Sequence, residues 1–595
     1  MAIKSRKKIY WLTLGLIFSG FLGVENALAF KLGENQLFFV DASYDLLDRT
    51  QINATLRQVG DHALFYTAND WWSSLGPVEA ESANMAILNL AAEFDKTIYP
   101  RLTQVYGSEW SPGIDNDLRI TILITKIKKG TGGYFNSSDE YSRLQIANSN
   151  EREMIYLNSL YITSPSVRDF LAHEFQHMIN FYQKEKLRHS VEEIWLNEAR
   201  SEYAPTLCGY DTPYVGSNLE RRVKDFFRAP SDSLTEWQNE SIDYGAVNLF
   251  MQYLVGRYGE PILTRMMKTE AVGAASINQA LAAAGFSEKF GDVFNNWMIA
   301  NFVNDCQLGE GQKYCYLNPR LTYESFHLRP QMSNFLLVSE GTEFSFADTI
   351  KDWSGRWYEI LPMGFGLNLA MNFQGESASD FQIALITFAA NGTKSLNWLV
   401  LNSVQEAAAL ISDFGNRVAS VVLILSNQTK QTNFSANEPT FQFSYIAKIT
   451  KANQLPMPTS LPLPSPMPLP DSPILVNPNF SEGSLIRAKG DNKVYIIKGH
   501  YRRWLQTPQT LTAYPHLDWQ NIIEVTPEQL NWYQEAWLVR ADGDARVYEI
   551  NGDGTKHWLN MSAEQFTSSG RAWEMVYIVN ARERDLYRTG AEVLR

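Results

Sequence analysis

The sequence predicts an α+β domain followed by two β-rich regions, and three observations carry that expectation. Up to about residue 158 the apolar pattern is mostly strand-like. From Ser164 to about residue 304 it is almost wholly helical. After about residue 330 short alternating runs return. Strands gathered before helices point to a mixed sheet followed by a helical subdomain. At 595 residues the chain exceeds what a single core usually serves.

The first segment is read differently. Lys4, Arg6, Lys7 and Lys8 precede the apolar run Ile9 to Val24, and ENALAF places Ala27 and Ala29 as an A-x-A site before Phe30. That pattern predicts a signal peptide over 1–29, cleaved after Ala29, hence a secreted or cell-surface protein with no membrane span after its removal. No cysteine follows the apolar run, which argues against lipid attachment. The formal net charge of −13 becomes three units more negative without Lys4, Arg6, Lys7, Lys8 and Glu25. An acidic exported chain does not suggest a nucleic-acid partner.

Within 30–330, QLFFVDAS and DHALFYTANDWW read as strands, and 79–105 as an amphipathic helix ending near Gly107. LRITILITKI (118–127) is a β-branched strand, followed by the glycine turn KKGTGGYF. GTGGYFNSSDEY (130–141) could supply a sheet edge for an extended peptide, or be a plain loop. EMIYLN (153–158) leads into the LAHEFQHMIN helix, with Ser164 as N-cap and Pro165 as its first residue. Three cysteines exclude a disulfide framework. Cys306 and Cys315 flank a short loop that could close as one bridge, and Cys208 is expected to be buried and inert.

Runs such as RWYEIL, LNLAMNF, FQIALITF, VVLILS and TFQFSYIAKI predict a β-sandwich over 331–450. The Pro-rich stretch 451–479 is a semi-rigid linker. Residues 480–595 contain two β-rich repeats, about 484–536 and 537–595. LIRAKGDNKVYIIKGHYRRWLQT matches LVRADGDARVYEINGDGTKHWLNM at a period of about 53. Trp504, Trp519, Trp558 and Trp573 recur at equivalent positions, either as core residues or as a platform for glycan or cell-wall contact.

The chemistry concentrates at HEFQH. Residues four apart share a helix face, so His173 and His177 can aim their rings at one point. Leu171, Phe175, Met178 and Tyr182 form the stripe that holds the helix to a core. A catalytic zinc ion needs three protein ligands and an open position, and Glu174 beside the ligand face is placed as general base for a water. The third ligand is not a histidine two turns on, because Asn180 and Gln183 hold the positions of the extended HExxHxxGxxH pattern and His189 has the wrong spacing. IWLNEARSEYA instead offers Glu198, with Asn197 and Glu202 as acceptors for the outer N–H groups of the histidines.

HEFQH followed by WLNEARSE resembles the gluzincin metallopeptidases. NEARSE is similar to the NExxSD segment of thermolysin-like enzymes, with Glu202 in place of aspartate, and WLNE to the aminopeptidase branch. HEFQHMINF and WLNEARSEYA look most like the hyicolysin-type secreted bacterial metallopeptidases. The resemblance covers about 165–260. It implies one catalytic Zn2+ held by His173, His177 and Glu198, Glu174 as base, and a protein or peptide substrate. Tyr244, in SIDYGAVNLF, resembles the tyrosine that assists the oxyanion in this group, though it sits one residue before the glycine, not three as in the aminopeptidases. No GAMEN-like exopeptidase segment precedes the zinc helix, which favours an endopeptidase. Two alternatives stand beside this reading. One is a non-catalytic surface protein with a retained peptidase fold, and the other is a wall-binding protein acting through 480–595.

Overall fold

The strand-like runs before residue 160 assemble one six-stranded mixed sheet. A computed structural model describes residues 31–451, except 324, 329–335, 339–340, 342, 363–365 and 435, and most of 480–593. The expected signal peptide, nearly all of the Pro-rich linker and Trp519 lie outside the described residues. The sheet comprises β1 (Asn35–Phe39), β2 (Gln51–Val59), β3 (Ala63–Ala68), β4 (Ile120–Thr125), β5 (Gly133–Phe135) and β6 (Met154–Asn158), in the order β1-β2-β3-β4-β6-β5. β3, β4 and β6 run parallel. β4 and β6 are buried at every position, which is why they read as continuous apolar runs. β5 closes one edge, antiparallel to β6.

NDWW, expected to extend a strand, is instead a short helix, α1 (Asn69–Trp72). Asn69 ends the strand because its side chain bonds to Asn35 and Thr55 across the sheet. The expected amphipathic helix is α2 (Pro77–Glu93), a π-helical turn Phe94–Ile98, and α3 (Tyr99–Tyr106), ending at Gly107 with φ 95°. Only glycine takes that conformation without strain.

Seven helices follow: α4 (Val167–Asn180), α5 (Ile194–Leu207), α6 (Asn218–Arg228), α7 (Ser241–Tyr258), α8 (Pro261–Met267), α9 (Gly273–Ala283) and α10 (Phe290–Val303). α4 starts at Val167, two residues after the expected Pro165. Ser164 and Ser166 turn their hydroxyls toward each other at 2.8 Å, and Ser166, not Ser164, holds the cap position. Cys306 and Cys315 are disulfide-bonded. Cys208 is a free thiol, partly exposed where full burial was expected, and desolvation pushes it up to about 12.

Among the described residues nine strands come next: β7 (Leu336–Val338), β8 (Glu343–Lys351), β9 (Gly355–Pro362), β10 (Leu367–Gly375), β11 (Phe381–Ala389), β12 (Lys394–Leu399), β13 (Glu406–Phe414), β14 (Val418–Asn427) and β15 (Thr440–Lys451). They form two layers, β12-β11-β14-β9-β7 and β13-β10-β15-β8, joined at the corner Phe414–Val418. Leu369 and Phe373 of one layer share a core with Ile383 and Leu423 of the other. β14 is apolar from Val421 to Leu425 because its alternate residues, Val422 and Ile424, face the helical core, where Trp357 Nε1 also donates to Met298 O on α10 (3.0 Å). β13, EAAALISDF, escaped the sequence reading because its alanines carry little strand signal.

The chain divides into two compact units, Met1–Leu455 and Pro456–Arg595. In the second, β16 (Leu485–Ala488), β17 (Val494–Lys498), β18 (Tyr501–Leu505), β19 (Ile522–Val525) and β20 (Gln534–Glu535) form one sheet, and β21 (Leu538–Ala541), β22 (Val547–Ile550), β23 (Thr555–Trp558), β24 (Val576–Val579) and β25 (Arg588–Thr589) another. Their strand orders, β19-β16-β17-β18-β20 and β24-β21-β22-β23-β25, are the same topology. Tyr495 faces Trp504 as Tyr548 faces Trp558. One extra residue in the second hairpin, which turns at Gly554 (φ 78°), shifts the later equivalences by one. Their cores are built from aliphatic residues with Tyr495 and Tyr533 in the first copy and Tyr548, Phe566, Tyr577 and Tyr587 in the second, while Trp504 and Trp558 sit at their margins.

Candidate metal centre

The site is built where α4 and α5 cross. Leu171, Phe175 and Met178 bury one face of α4, and Trp195, Leu196 and Ala199 bury one face of α5. The opposite faces then meet. His173 Nε2 and His177 Nε2 stand 3.1 Å apart, and Glu198 Oε2 lies 3.3 Å from the first and 3.5 Å from the second. Among the described residues these three form the one His/Cys/Asp/Glu group with mutually close ligand atoms.

This arrangement fits a metal ion on three grounds. Donors about 2.0–2.1 Å from a zinc ion at tetrahedral angles stand about 3.3 Å apart, which matches the observed triangle. Glu198 Oε2 is buried and accepts no hydrogen bond, a costly state for a carboxylate oxygen unless a cation meets it. The electrostatics also favour positive charge. Burial disfavours the His173 cation, yet Glu198 and Glu202 raise its pKa to about 10. Burial opposes the Glu198 anion, yet the two imidazoles lower it to about 2.

The outer nitrogens are held as well. His173 Nδ1 lies 3.4 Å from Glu202 Oε1. Glu202 is almost fully buried, and burial alone would raise it. Arg222 and His173 outweigh burial and hold it well below the usual carboxylate range. Arg222 Nη2 donates to Oε1 (2.6 Å), while Arg222 Nε and Asn218 Nδ2 donate to Oε2 (2.8 and 2.9 Å). His177 Nδ1 meets Ser201 Oγ at 3.1 Å, and the Ser201 hydroxyl donates to Gln176 Oε1 at 2.5 Å. Asn197 does not fill this place. Its backbone carbonyl accepts from Ser201, and its side-chain oxygen is buried without a partner. Asn197 is adjacent to Glu198 in sequence, but adjacency along a helix does not give a shared face. On the helix, position 201 and not 197 faces His177.

Glu174 is buried against the edge strand. Burial raises its carboxyl, and the two imidazoles and the Phe135 backbone N–H partly oppose that. A side chain at Gly133 would put its Cβ 3.1 Å from Glu174 Cγ and 2.7 Å from Tyr156 O, so glycine is what lets β5 lie so close. Tyr244, at the start of α7, donates to Asn239 Oδ1 (2.8 Å), and its ring centroid lies 6.5 Å from that of His173. Arg222 covers its ring at 4.6 Å. His173, Glu174, His177, Glu198, Arg222 and Tyr244 line one open cleft of about 880 Å³, whose walls also include Gly130 to Phe135 of the edge segment. Tyr44, from the β1–β2 connection, lines the same cleft and stacks on Tyr134 (4.5 Å). Neither it nor Ser201, Gln176 or Arg222 carries a motif that marks it in the sequence.

No family model matches the chain. Over 219 residues it is 26% identical to the neutral metalloprotease ShpI of Staphylococcus hyicus, a match covering 32% of this chain and 48% of that protein. The chain thus spans about half the length of this curated relative. Among solved structures, the pre-peptidase C-terminal domain of a Bacillus anthracis collagenase is 11% identical, covering 21% of this chain and all of that one at a TM-score of 0.14. The IMPa metallopeptidase from Pseudomonas aeruginosa is 8% identical, covering 70% and 50% at 0.11. Scores that low carry no argument. The likeness read from HEFQHMINF and WLNEARSEYA is borne out by the first comparison: the chain is similar to a neutral metalloprotease of Staphylococcus hyicus, in keeping with the hyicolysin type.

Proposed function

We propose that the protein is a secreted zinc-dependent endopeptidase. His173, His177 and Glu198 hold the ion, and Glu174 is the general base. The observation that carries the reading is the triangle of two Nε2 atoms and Glu198 Oε2, with sides of 3.1 to 3.5 Å. When bound there, zinc supplies Lewis acidity, which lowers the pKa of water and polarises a carbonyl.

The chain's own groups supply the rest. Glu174 takes the proton of the attacking water and delivers it to the leaving amine. Its burial against β5 keeps that carboxylate from bulk water. Glu202 and Ser201 fix the ring angles of the histidines and keep their outer nitrogens protonated, leaving the Nε2 lone pairs for the ion. Tyr244 is placed to donate toward charge developing on the scissile oxygen once its bond to Asn239 is exchanged. The free edge of β5 offers main-chain groups to an extended peptide beside Glu174.

In this reading residues 30–330 are the catalytic domain, with the mixed sheet and the helical subdomain that carries HEFQH. Residues 331–450 are a sandwich, 451–479 a linker and 480–595 a separate module. Export rests on the segment 1–29. Among the described residues no helix is long and apolar enough to cross a membrane.

The test is direct. Purified protein should contain one zinc per chain, and a chelator should stop its cleavage of casein. Glu174→Gln should keep the zinc and lose cleavage, whereas His177→Ala should lose both. Casein cleavage by zinc-loaded Glu174→Gln at the parent rate would overturn the assigned base.

A further inference from the structure

The two C-terminal repeats share a backbone, but they differ where they meet. Lys498 Nζ and Tyr501 O of the first copy bond to Val576 O and Tyr577 Oη of the second (2.8 and 2.9 Å). A buried ion pair, Arg503 with Glu583, crosses the junction at 2.5 Å, and Tyr514 and Tyr587 also donate to the Glu583 carboxylate. The equivalent of Glu583 in the first copy is Gln529, so this pair is made once and not twice. A buried charged pair of this kind fixes register more than it adds stability.

Held open by this junction is a pocket of about 420 Å³. Its lining is what distinguishes the copies. Trp537 stands where the first copy has Ser484, Glu549 where it has Ile496, and Asn551 where it has Lys498. The Trp537 ring is 47% exposed although it lines a concavity. Trp504 forms another wall, with Lys493 Nζ 4.4 Å from its ring centroid. Around the rings stand two carboxylates, Glu535 and Glu549, the second held by Arg571 Nη2 at 2.7 Å, together with Lys493 and with Gln506, whose Nε2 donates to Asn551 O at 2.8 Å.

We propose that this junction pocket binds a short saccharide. A sugar ring has an apolar C–H face that lies flat on an indole, and hydroxyls at its rim that both donate and accept. The lining asks for both roles. Carboxylates only accept, and the lysine ammonium only donates. The other ligand that favours tryptophan grooves is a proline-rich peptide, of which this chain has one in 456–470. Seven of the fifteen residues in that segment are prolines without an N–H, so it brings fewer donors to Glu535 than a saccharide, in which every free hydroxyl donates. The volume is in the range of small-molecule sites, about 300–1,000 Å³. The inference is independent of the peptidase reading, since no residue of the cleft takes part.

The experiment is calorimetric titration of the full chain with cellotriose, maltotriose and triacetylchitotriose, and separately with a synthetic PMPTSLPLPSPMPLP peptide. The expected result is saturable binding of at least one trisaccharide, weakened at least tenfold by Trp537→Ala. Trp573→Ala should leave it unchanged, because Trp573 is equally exposed but stacks on Phe566 away from the pocket. Trp537→Phe keeps an aromatic face and should bind with intermediate affinity, which separates lost stacking from lost folding. Absence of binding to all three sugars, binding indifferent to Trp537→Ala, or binding of the peptide alone would each overturn the proposal.

Discussion

Arg200 Nη2 donates to Asn180 Oδ1 at 2.8 Å, and both side chains are buried between α4 and α5. Asn180 lies three residues after His177, and Arg200 two residues after Glu198. The same guanidinium pairs with Glu192 at 2.9 Å, whose carboxylate also has Lys184 at 3.7 Å. This buried network ties α4 and α5 together within one turn of the His173, His177 and Glu198 triangle.

Arg200→Ala should therefore lower both stability and zinc affinity. Removing one partner of a buried pair leaves the other charge uncompensated and typically costs about 3–5 kcal/mol. A melting experiment with and without added zinc checks this. An unchanged melting temperature and unchanged zinc retention would show that the network does not position the ligands.

Ser201→Ala should weaken zinc binding by about 10–100-fold, the usual cost of losing the partner behind a histidine ligand. Asn197→Ala should change it far less, because its amide does not reach His177. Competition against a zinc chelator measures both, and the order of the two effects is the test.

Gly133→Ala should abolish most peptide cleavage while leaving zinc in place. The added Cβ would fall 2.7 Å from Tyr156 O and 3.1 Å from Glu174 Cγ, so β5 or the base must move. Zinc analysis alongside casein cleavage distinguishes this from loss of the metal.

Asp139 gives a pH signature at a group outside the His173, His177 and Glu198 triangle. It is buried, and desolvation raises its carboxyl from 3.8 to about 6, against the hydrogen bonds from Tyr156 and Asn150. The folded state then binds the proton more tightly than the unfolded state. The stability this contributes is fully present below about 3.8 and is lost as pH rises through about 6. Asp139→Asn should flatten that fall in urea unfolding measured across the window. Tyr156 Oη can tolerate the amide because Phe39 O, at 3.2 Å, offers it another acceptor.

The motif residues were legible because their information is local. A spacing of four places His173 and His177 on one helix face whatever the rest of the chain does. The second helix was legible as a carboxylate with polar neighbours, and Glu198 is found where those neighbours implied. The strands β4, β6 and β14 were legible because burial on both faces fills most of their positions with aliphatic residues. β13 was not, because its alanines satisfy a strand without announcing one. NDWW misled because aromatic residues favour strands by type, while Asn69 bonds back to Asn35 and stops the strand there.

The sequence by itself determined that His173 and His177 share a helix face beside Glu174, and the order of β and α regions, since each follows from residue type and from a period of two or 3.6. Only the tertiary structure decided which neighbours serve those residues. Ser201 reaches His177 across 24 residues, Arg222 reaches Glu202 across 20, and Phe135 meets Glu174 from a different element. Such pairings depend on how one element lies on another, and on glycine at 133 permitting contact. That information is spread over every side chain in the interface and is carried by no spacing along the chain.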